Sequence, residues 1–468
     1  MLPHSPPEDA SRAAPTVSII TLGCKLNQAE AEGLVLALRR RGYRVFSHEV
    51  PADVYVVNTC TVTHVADQKS RQLVRRLRRA RPEARIVVTG CYAERAPQEI
   101  GAVGRVDAIV DRANRERLTS IVEELAPVSA ASSPQDAGHG RQSGLGRARS
   151  LIKVGDGCDK FCSYCVVPLC RGRERSEPLD SVVAAVQQKA EAGCLEVVLT
   201  AVNLGRWGAG FGDGDPTGLD HLLAEVLQST SIPRVRLSSI EPEDFRDELI
   251  PLLQDRRVCR HLHLPLQSGC NTVLRRMRRR YDLAGYSALV TRVRSEVLDI
   301  AITTDVMVGF PGETDREFEQ TCHFVEQAQF AAVHIFKYSP RAGTAAAAMA
   351  DQVPATVKAE RASRLATLAD ESARRFRRRF LGRSMEVLYE SAVLHGQTPG
   401  LSVAVWGGLT DNYLRVYAPS VKNRTNQLAA TKLVGERADG MWGDLENVPP
   451  LQPGASSGSV LSEDREAR

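Results

Sequence analysis

The sequence predicts an α/β protein with three folded parts: an N-terminal open parallel sheet, a central partial (β/α)6 barrel and a small C-terminal all-β barrel. Two stretches of the chain alternate short apolar runs with helical segments, a pattern typical of parallel βα units. A segment of small polar residues separates these stretches, and after Gly382 the chain changes to short β-like runs. A length of 468 residues also requires more than one domain.

The N-terminal part is predicted to cover residues 16–125, after a disordered tail at 1–15. Its strands are predicted at 17–22, 53–57, 85–89 and 107–110. Helical segments such as 30–41 and 67–81 lie between them, so a parallel sheet is expected. Residues 126–148 are rich in Gly, Ser and Ala, which predicts a linker.

The central part is predicted to cover residues 149–380. Six apolar runs, each followed by a plausible helix, predict a partial barrel. They are 151–154, 195–200, 234–238, 261–264, 301–308 and 332–336. A long helix at 354–380 is expected to close this part.

The C-terminal part is predicted to cover residues 381–446, before a disordered tail at 447–468. Its strands are predicted at 385–389, 402–406, 413–417 and 431–434, a pattern typical of a small β-barrel.

Composition limits the setting in which the protein works. The chain has no apolar stretch of about 18 residues, so we expect no membrane span. The first 15 residues lack the apolar segment of a signal peptide, so a cytoplasmic protein with reduced cysteines is expected. Net charge is only +5, but basic residues cluster at 69–81, 275–280 and 374–379. Each cluster alone suits a solvated helix face, whereas three together favour a polyanionic partner.

A compact cysteine triad follows the first predicted barrel strand. Cys158, Cys162 and Cys165 have a spacing at which one loop wraps an iron–sulfur cluster. Three thiolates leave one iron of a four-iron cluster open for chemistry. The alternatives are a structural zinc, which prefers four ligands, and three unrelated core cysteines.

A dispersed triad consists of Cys24, Cys60 and Cys91, each at the end of a predicted strand. Side chains at the carboxyl ends of neighbouring parallel strands converge on one crevice. Gly23 and Gly90 directly precede two of these cysteines, which suits close backbone approach. The sequence therefore predicts a second cluster, with buried core cysteines as the alternative.

The compact triad, Cys-x3-Cys-x2-Cys with an aromatic residue before the last cysteine, resembles the signature of radical S-adenosylmethionine enzymes. With the dispersed triad ahead of it, residues 16–445 resemble the methylthiotransferase family of that superfamily. The other matching segments are 171–176, 238–242, 263–269, 304–314 and 338–344. The resemblance implies two [4Fe-4S] clusters and S-adenosyl-L-methionine as cofactors, and a C-terminal TRAM domain that binds RNA.

Within this family, Thr21-Leu-Gly-Cys-Lys-Leu-Asn27 is similar to the MtaB type, which modifies N6-threonylcarbamoyladenosine beside the tRNA anticodon. The isopentenyladenosine type usually reads Gly-Cys-Gln-Met-Asn here, and the ribosomal-protein type Gly-Cys-Pro-Lys-Asn. The resemblance implies that one cluster handles sulfur and the other cleaves S-adenosylmethionine to a radical that removes the C2 hydrogen of the adenine.

Several polar residues are candidates for other contacts. The cofactor-binding candidates are Asn203, Ser239, Glu241, Gln267 and Asp305. Glu241 and Asp305 are placed at the ends of predicted strands, with buried paired carboxylates as the alternative. Arg171, Arg173 and Arg175 alternate along the chain, which predicts one strand face that contacts RNA or substrate.

The expected partners are the tRNA anticodon stem-loop, an electron donor protein and a sulfur source, with the enzyme acting as a monomer. Three other functions remain open: a methylthiotransferase for isopentenyladenosine tRNA or a ribosomal protein, a plain radical methylase, and a non-catalytic RNA-binding protein with a structural metal.

Overall fold

The computed structural model describes residues 14–128, 148–211, 218–398 and 401–446. Most of the predicted linker, and nearly all of both predicted tails, lie outside these residues. No helix in the described part is long and apolar enough to cross a membrane.

The N-terminal part forms one five-stranded parallel sheet in the order β2-β1-β3-β4-β5. Its strands are β1 (Thr16–Thr21), β2 (Arg44–Phe46), β3 (Val54–Thr59), β4 (Arg85–Gly90) and β5 (Ala108–Val110). Its helices are α1 (Lys25–Arg40), α2 (His64–Ala80), α3 (Cys91–Arg95), α4 (Pro97–Gly101) and α5 (Leu118–Leu125). The short edge strand β2 was not predicted. The inner strand β3 is buried along its whole length, as expected where helices cover both faces of a sheet.

Six parallel strands form the predicted partial barrel. They are β6 (Arg149–Lys153), β9 (Glu196–Thr200), β10 (Arg234–Leu237), β11 (His261–His263), β12 (Ala301–Val308) and β13 (Ala332–Lys337). The strands pair as two three-stranded sheets, β6-β9-β10 and β11-β12-β13. Parallel bridges from Val235 to Val258 and from Ser239 to His263 join these sheets. A two-stranded ribbon of β7 (Gly155–Asp156) and β8 (Arg175–Ser176) lies beside the compact triad.

The helices of this part follow the strands, as predicted. They are α6 (Val167–Arg171), α7 (Leu179–Glu191), α8 (Leu219–Ser229), α9 (Leu249–Leu252), α10 (Asn271–Arg276), α11 (Leu283–Glu296), α12 (Asp315–Ala328) and α13 (Ala355–Arg378). Thr314 and Glu317 form a capping box at the start of α12. The long helix α13 packs on β13 and α12.

The C-terminal part is a closed five-stranded barrel. Its strands are β14 (Ser384–Thr398), β15 (Leu401–Thr410), β16 (Arg415–Ser420), β17 (Gln427–Arg437) and β18 (Gly440–Leu445), in the order β14-β15-β16-β18-β17. The sequence did not predict β18, which closes the barrel between β16 and β17.

The turn after β15 covers the amino ends of the central strands. Arg236 donates to the carbonyl oxygens of Thr410 and Asp411 at 3.0 Å each, and Arg260 pairs with the Asp411 carboxylate at 2.6 Å. The ring of Tyr413 stacks on His261 with centroids 4.2 Å apart. The C-terminal barrel is therefore fixed to the end of the partial barrel opposite the compact triad.

Candidate active site between two cysteine triads

The dispersed triad lies at the carboxyl ends of three neighbouring strands. Cys24 caps α1 after β1, Cys60 follows β3, and Cys91 begins α3 after β4. Because β1, β3 and β4 are adjacent in the sheet, these cysteines share one edge of it.

Two glycines allow this convergence. A Cβ on Gly23 would lie 2.7 Å from Cys60 Cβ and 3.1 Å from its Sγ. A Cβ on Gly90 would lie 2.4 Å from the Thr59 carbonyl oxygen, and Gly90 has φ +94°. Close backbone approach was the expectation for both positions, and the structure confirms it.

The compact triad lies on a tightly tied loop. Cys158 N donates to Gly172 O at 3.1 Å, and Cys165 N donates to Cys162 O at 3.0 Å. Ser163, between the cysteines, donates through its hydroxyl to Arg276 O at 2.8 Å. The loop is therefore held from both sides before any cofactor binds.

Burial controls the protonation of the thiols in both triads. Desolvation raises the pKa of Cys91 to about 11 and the pKa of Cys165 to about 12. Burial also raises the pKa of Cys60 and of Cys158. A metal ligand must be a thiolate, so loading iron at these sites releases protons.

The donor sets fit iron–sulfur clusters better than single ions. Within the described residues, neither triad brings its three sulfur atoms within 4.8 Å of one another. A zinc ion with Zn–S bonds of about 2.3 Å would draw its thiolates to roughly 4 Å apart. Two sets of three thiols with wider spacing suit a larger group with several metal corners.

A polar shell surrounds the compact triad. Arg279, buried, donates to Cys162 Sγ at 3.3 Å and pairs with Glu241. Lys160, inside the loop of the triad, pairs with Glu243 at 3.1 Å and with Asp244 at 2.7 Å.

Some atoms of this shell lack hydrogen-bond partners among the described residues. They are Glu243 Oε2, Asn203 Oδ1 and Arg279 Nε. The Asn203 amide nitrogen donates to Asp244 at 2.7 Å, which aligns the side chain and leaves its oxygen unused. Buried polar atoms without partners are costly, so this shell fits a bound polar molecule such as S-adenosylmethionine.

The two triads meet at one interface. Cys91 packs against Val166 and Cys170, which lie just beyond Cys165 in sequence. Helix α3, which begins at Cys91, contacts helix α6 of the central part. The loop that carries the compact triad therefore leads directly to the dispersed triad.

Arg171 ties the two parts together at this interface. Its guanidinium pairs with Glu30 at 3.0 Å and with Asp156 at 2.9 Å, and it donates to Asn27 Oδ1 at 2.5 Å. Asn27 Oδ1 also accepts from Cys24 Sγ at 3.4 Å. Arg171 was expected to contact RNA or substrate, but the structure buries it among protein carboxylates at the end of α6.

A second buried arginine holds the interface from another side. Arg341 donates to Thr61 Oγ1 at 2.7 Å and to Asp67 Oδ2 at 2.5 Å, next to Cys60. The Ser339 hydroxyl accepts from His64 N at 3.2 Å. Sequence reasoning did not identify Asn27, Glu30, Asp67 or Arg341 as site residues, although three of them lie in or beside the motif segments.

The other predicted contact residues fall into different places. Arg173 and Arg175 are exposed, and Arg173 pairs with Asp159 at 3.1 Å. Ser239 lies at the bridge between the two central sheets. Gln267 has φ +63° and donates its backbone N–H to Asp305 O at 2.8 Å.

Asp305 lies inside β12 and not at its end. Its carboxylate is 3.2 Å from His263 Nε2, and ligand atoms of His263, Asp305 and His334 all lie within 4.8 Å of one another. Thr303 Oγ1 joins His261 and His263 at 2.9 and 3.0 Å. These groups line the inside of the partial barrel.

Lys25 reaches this interior from the N-terminal part. Burial, together with the guanidinium groups of Arg149 and Arg236, lowers the pKa of Lys25 to about 8, against the opposing effect of Glu196 and Asp305. Its ammonium lies close enough to lower the pKa of His334 as well. A positive charge here makes the His263, Asp305 and His334 group a poor cation site.

Exposed apolar side chains surround the interface. Val62 and Val65 follow Cys60, Phe161 lies in the compact loop, Leu169 lies in α6 and Phe336 lies in β13. The rings of Phe161 and Phe336 are surfaces on which a nucleobase could stack.

Comparison with known proteins places both parts in families. Residues 16–111 match the model described as uncharacterized protein family UPF0004, and residues 152–325 match the radical SAM superfamily. The structure of the radical S-adenosylmethionine methyltransferase TsrM from Kitasatospora setae, with tryptophan and a SAM analog bound, aligns with a TM-score of 0.51 at 16% identity, over 69% of this chain and 73% of that one. That likeness supports the fold alone.

Curated relatives extend over nearly the whole chain. Threonylcarbamoyladenosine tRNA methylthiotransferase MtaB of Bacillus subtilis is 37% identical over 429 residues, which is 90% of this chain and 94% of the relative. The protein of the same name from Thermotoga maritima is 38% identical, over 82% and 89%. The tRNA-2-methylthio-N(6)-dimethylallyladenosine synthase of Thermodesulfovibrio yellowstonii is 30% identical, over 92% and 98%.

Proposed function

The chain belongs to the radical S-adenosylmethionine methylthiotransferase family, and on this premise we propose that it attaches a methylthio group to C2 of N6-threonylcarbamoyladenosine, the modified adenosine 3′ of the anticodon in tRNA. MtaB relatives that are 34–38% identical support this substrate. C2 of adenine carries no acidic proton and no leaving group, which favours radical chemistry over acid–base chemistry.

The observation that carries the proposal is the meeting of two cysteine triads at one interface. Cys91 packs on the residues that directly follow the compact triad. Methylthio transfer needs a sulfur site and a radical source that reach the same carbon atom. Two triads on adjoining surfaces satisfy this requirement, whereas a structural metal in an RNA-binding protein would need only one.

Cys24, Cys60 and Cys91 would hold one [4Fe-4S] cluster, and Cys158, Cys162 and Cys165 the other. When bound, the two clusters supply an open iron for sulfur and one electron for the cleavage of S-adenosylmethionine. The unused atoms Asn203 Oδ1 and Glu243 Oε2 would accept hydrogen bonds from the polar groups of S-adenosylmethionine. The Arg279–Glu241 pair holds Cys162 in place through the hydrogen bond to its sulfur.

The surroundings of the site fit tRNA. Arg278 and Arg280 are exposed beside the loop of the compact triad, and within the described part they have no ion-pair partner. With Arg173 and Arg175, they would contact phosphates of the anticodon stem-loop, so affinity should fall as salt rises. The protein would work in the cytoplasm as a monomer, with an electron donor protein and a separate sulfur source.

The test is anaerobic reconstitution with iron and sulfide, followed by reaction with a reductant, S-adenosylmethionine and tRNA that carries N6-threonylcarbamoyladenosine. We expect 5′-deoxyadenosine together with the 2-methylthio nucleoside, measured by mass spectrometry of the digested tRNA. Cys60→Ala and Cys162→Ala should each abolish the methylthio product.

Parallel substrates separate the alternatives. Isopentenyladenosine tRNA and ribosomal protein serve as controls, and exclusive product on either would contradict the proposed substrate. A methyl group without sulfur at C2 would indicate a plain radical methylase. Protein that binds zinc, forms no iron–sulfur cluster and still binds tRNA would indicate a non-catalytic role.

A further inference from the structure

The inside of the partial barrel holds one positive charge that the protein does not neutralise. Lys25 follows the proposed cluster ligand Cys24 and begins α1, which packs along β6. Among the described residues, its ammonium makes no hydrogen bond and no ion pair. The other charged groups near it are Arg149, Arg236, Glu196 and Asp305.

Most of these neighbours are already paired. Arg149 pairs with Glu390 at 2.7 Å. Arg236 and Arg234 share the single carboxylate of Glu196 at 2.6 and 3.3 Å. Asp305 contacts only a histidine, His263, at 3.2 Å. Lys25, Arg234 and Arg236 together therefore face only Glu196 and Asp305, which leaves one positive charge in excess.

The anion that suits this place is a carboxylate. An ammonium attracts it as a point charge with three donors, and His334 lies close by on β13 to contact neighbouring hydroxyl or amide groups. A carboxylate brings one negative charge close to Asp305, whereas a phosphate monoester would bring up to two.

We propose that Lys25 binds the threonyl carboxylate of N6-threonylcarbamoyladenosine and so selects this nucleoside against adenosines with an uncharged N6 group. This inference rests on the proposed function and adds the residue that recognises the N6 substituent of the substrate. Lys25 is the sequence neighbour of Cys24, but its ammonium lies inside the barrel near Glu196, Arg236 and Asp305, so the threonyl group would extend into the barrel while the adenine stays at the interface.

S-adenosylmethionine also carries a carboxylate and is the competing source of the same chemistry. In the shell of the compact triad, Glu243 Oε2 and Asn203 Oδ1 could accept from its amino group, and the unused donor Arg279 Nε could bind its carboxylate. Lys25 is attached to the other triad, which favours the threonyl carboxylate.

The test combines a change in the protein with a matched change in the substrate. An anticodon stem-loop with N6-threonylcarbamoyladenosine is compared with the same RNA in which the threonyl carboxylate is a methyl ester. For the wild type, esterification should lower kcat/KM about tenfold to hundredfold, the range of a hydrogen bond to a charged group. Lys25→Gln should lower kcat/KM on the natural RNA by a similar factor and should show almost no further loss on the ester.

Lys25→Arg keeps the charge and should recover part of the preference for the free carboxylate. Iron content and the KM for S-adenosylmethionine are measured for every variant. Equal losses on both RNAs, with a raised KM for S-adenosylmethionine or reduced iron, would overturn the inference and assign Lys25 to the cofactor or the cluster.

The two levels of the proposal fail differently. A wild type that modifies isopentenyladenosine RNA but not the threonylcarbamoyl RNA contradicts the proposed function. A wild type that modifies the free acid and the ester equally well contradicts only the role of Lys25.

Discussion

Replacing Arg171 with methionine should loosen the contact between the two cysteine-bearing parts. Methionine keeps much of the length of the side chain but removes the charge. The change breaks ion pairs to Glu30 and Asp156 and the hydrogen bond to Asn27. Removing one partner of a buried ion pair typically costs about 3–5 kcal/mol.

The structure places the expected cost at the lower end of this range. Glu30 keeps Arg115 at 2.6 Å and Lys153 at 3.2 Å, and Asp156 keeps Lys153 at 2.8 Å. The carboxylates are therefore not left without cations. A loss of about 3 kcal/mol corresponds to a roughly hundredfold increase in the population of the opened interface.

Hydrogen–deuterium exchange of the α1 peptide measures this opening, because local exchange reports the free energy of the opening step. The ratio of variant to wild-type exchange should be about 100 at pH 7. Burial raises the pKa of Asp156 and of Glu30, but the nearby positive charges lower both pKa values overall. Arg171 makes the largest contribution among these charges. A carboxylate whose pKa is lower in the folded than in the unfolded protein stabilises the fold. This stabilisation is complete above the pKa of the unfolded state, near 4, and is lost as the pH falls through the pKa of the folded state. The ratio should therefore hold above about pH 5 and shrink below it.

Arg173→Met is the matched control. Arg173 lies two residues away, its side chain is 79% exposed, and it pairs only with Asp159. Exposed pairs contribute less than about 1 kcal/mol, so exchange of α1 should change little. Equal exchange in the two variants would refute the conclusion that Arg171 holds the interface.

Four further substitutions test separate parts of the molecule. Cys60→Ala and Cys162→Ala should each lower the iron content of reconstituted protein from about eight to about four atoms per chain, and an unchanged iron content in either variant would remove that cysteine from the ligand set. Gly90→Ala places a Cβ 2.4 Å from Thr59 O at a φ of +94°. The substitution should displace Cys91 and reduce the electron paramagnetic resonance signal of the dispersed-triad cluster only. Gly33→Ala is the control, because its Cβ meets nothing within 4 Å, and it should leave that signal unchanged. Tyr413→Ala removes the ring stacked on His261. The lost stacking should cost about 0.5–1.5 kcal/mol of local stability in addition to the cost of the lost buried area. Hydrogen–deuterium exchange of residues 410–414 should therefore be faster, with no change in iron content.

Much of the fold could be predicted from the sequence because the signals are local. Apolar runs bounded by helical segments fix the strands of the central barrel, and strand-end cysteines after glycines indicate the dispersed triad. The short strands β2 and β18 were missed: β2 has only three residues, and β18 has glycine at two of its six positions and the charged Asp444 next to its last residue. Neither has the alternation that marks a strand.

The site was predicted less completely than the fold. Arg171 shares an alternating pattern with Arg173 and Arg175, but α6 ends at Arg171, so the three do not lie on one strand face. Asn27, Glu30 and Arg341 act across an interface between distant segments, and no local pattern indicates such contacts. Lys25 stood within the motif that suggested the MtaB type, yet its unpaired charge became visible only with the barrel around it.

The position of the C-terminal barrel sets a length for the RNA. It is fixed at the amino ends of the central strands, while the compact triad lies beyond their carboxyl ends. Strand β12, with eight residues, measures about 26 Å at about 3.3 Å per residue. An RNA that touches both places must run this distance along the outside of the protein. A free nucleoside or a trinucleotide would reach the chemistry without reaching the barrel, so any contact that the barrel makes with the substrate would be with the stem below the modified base.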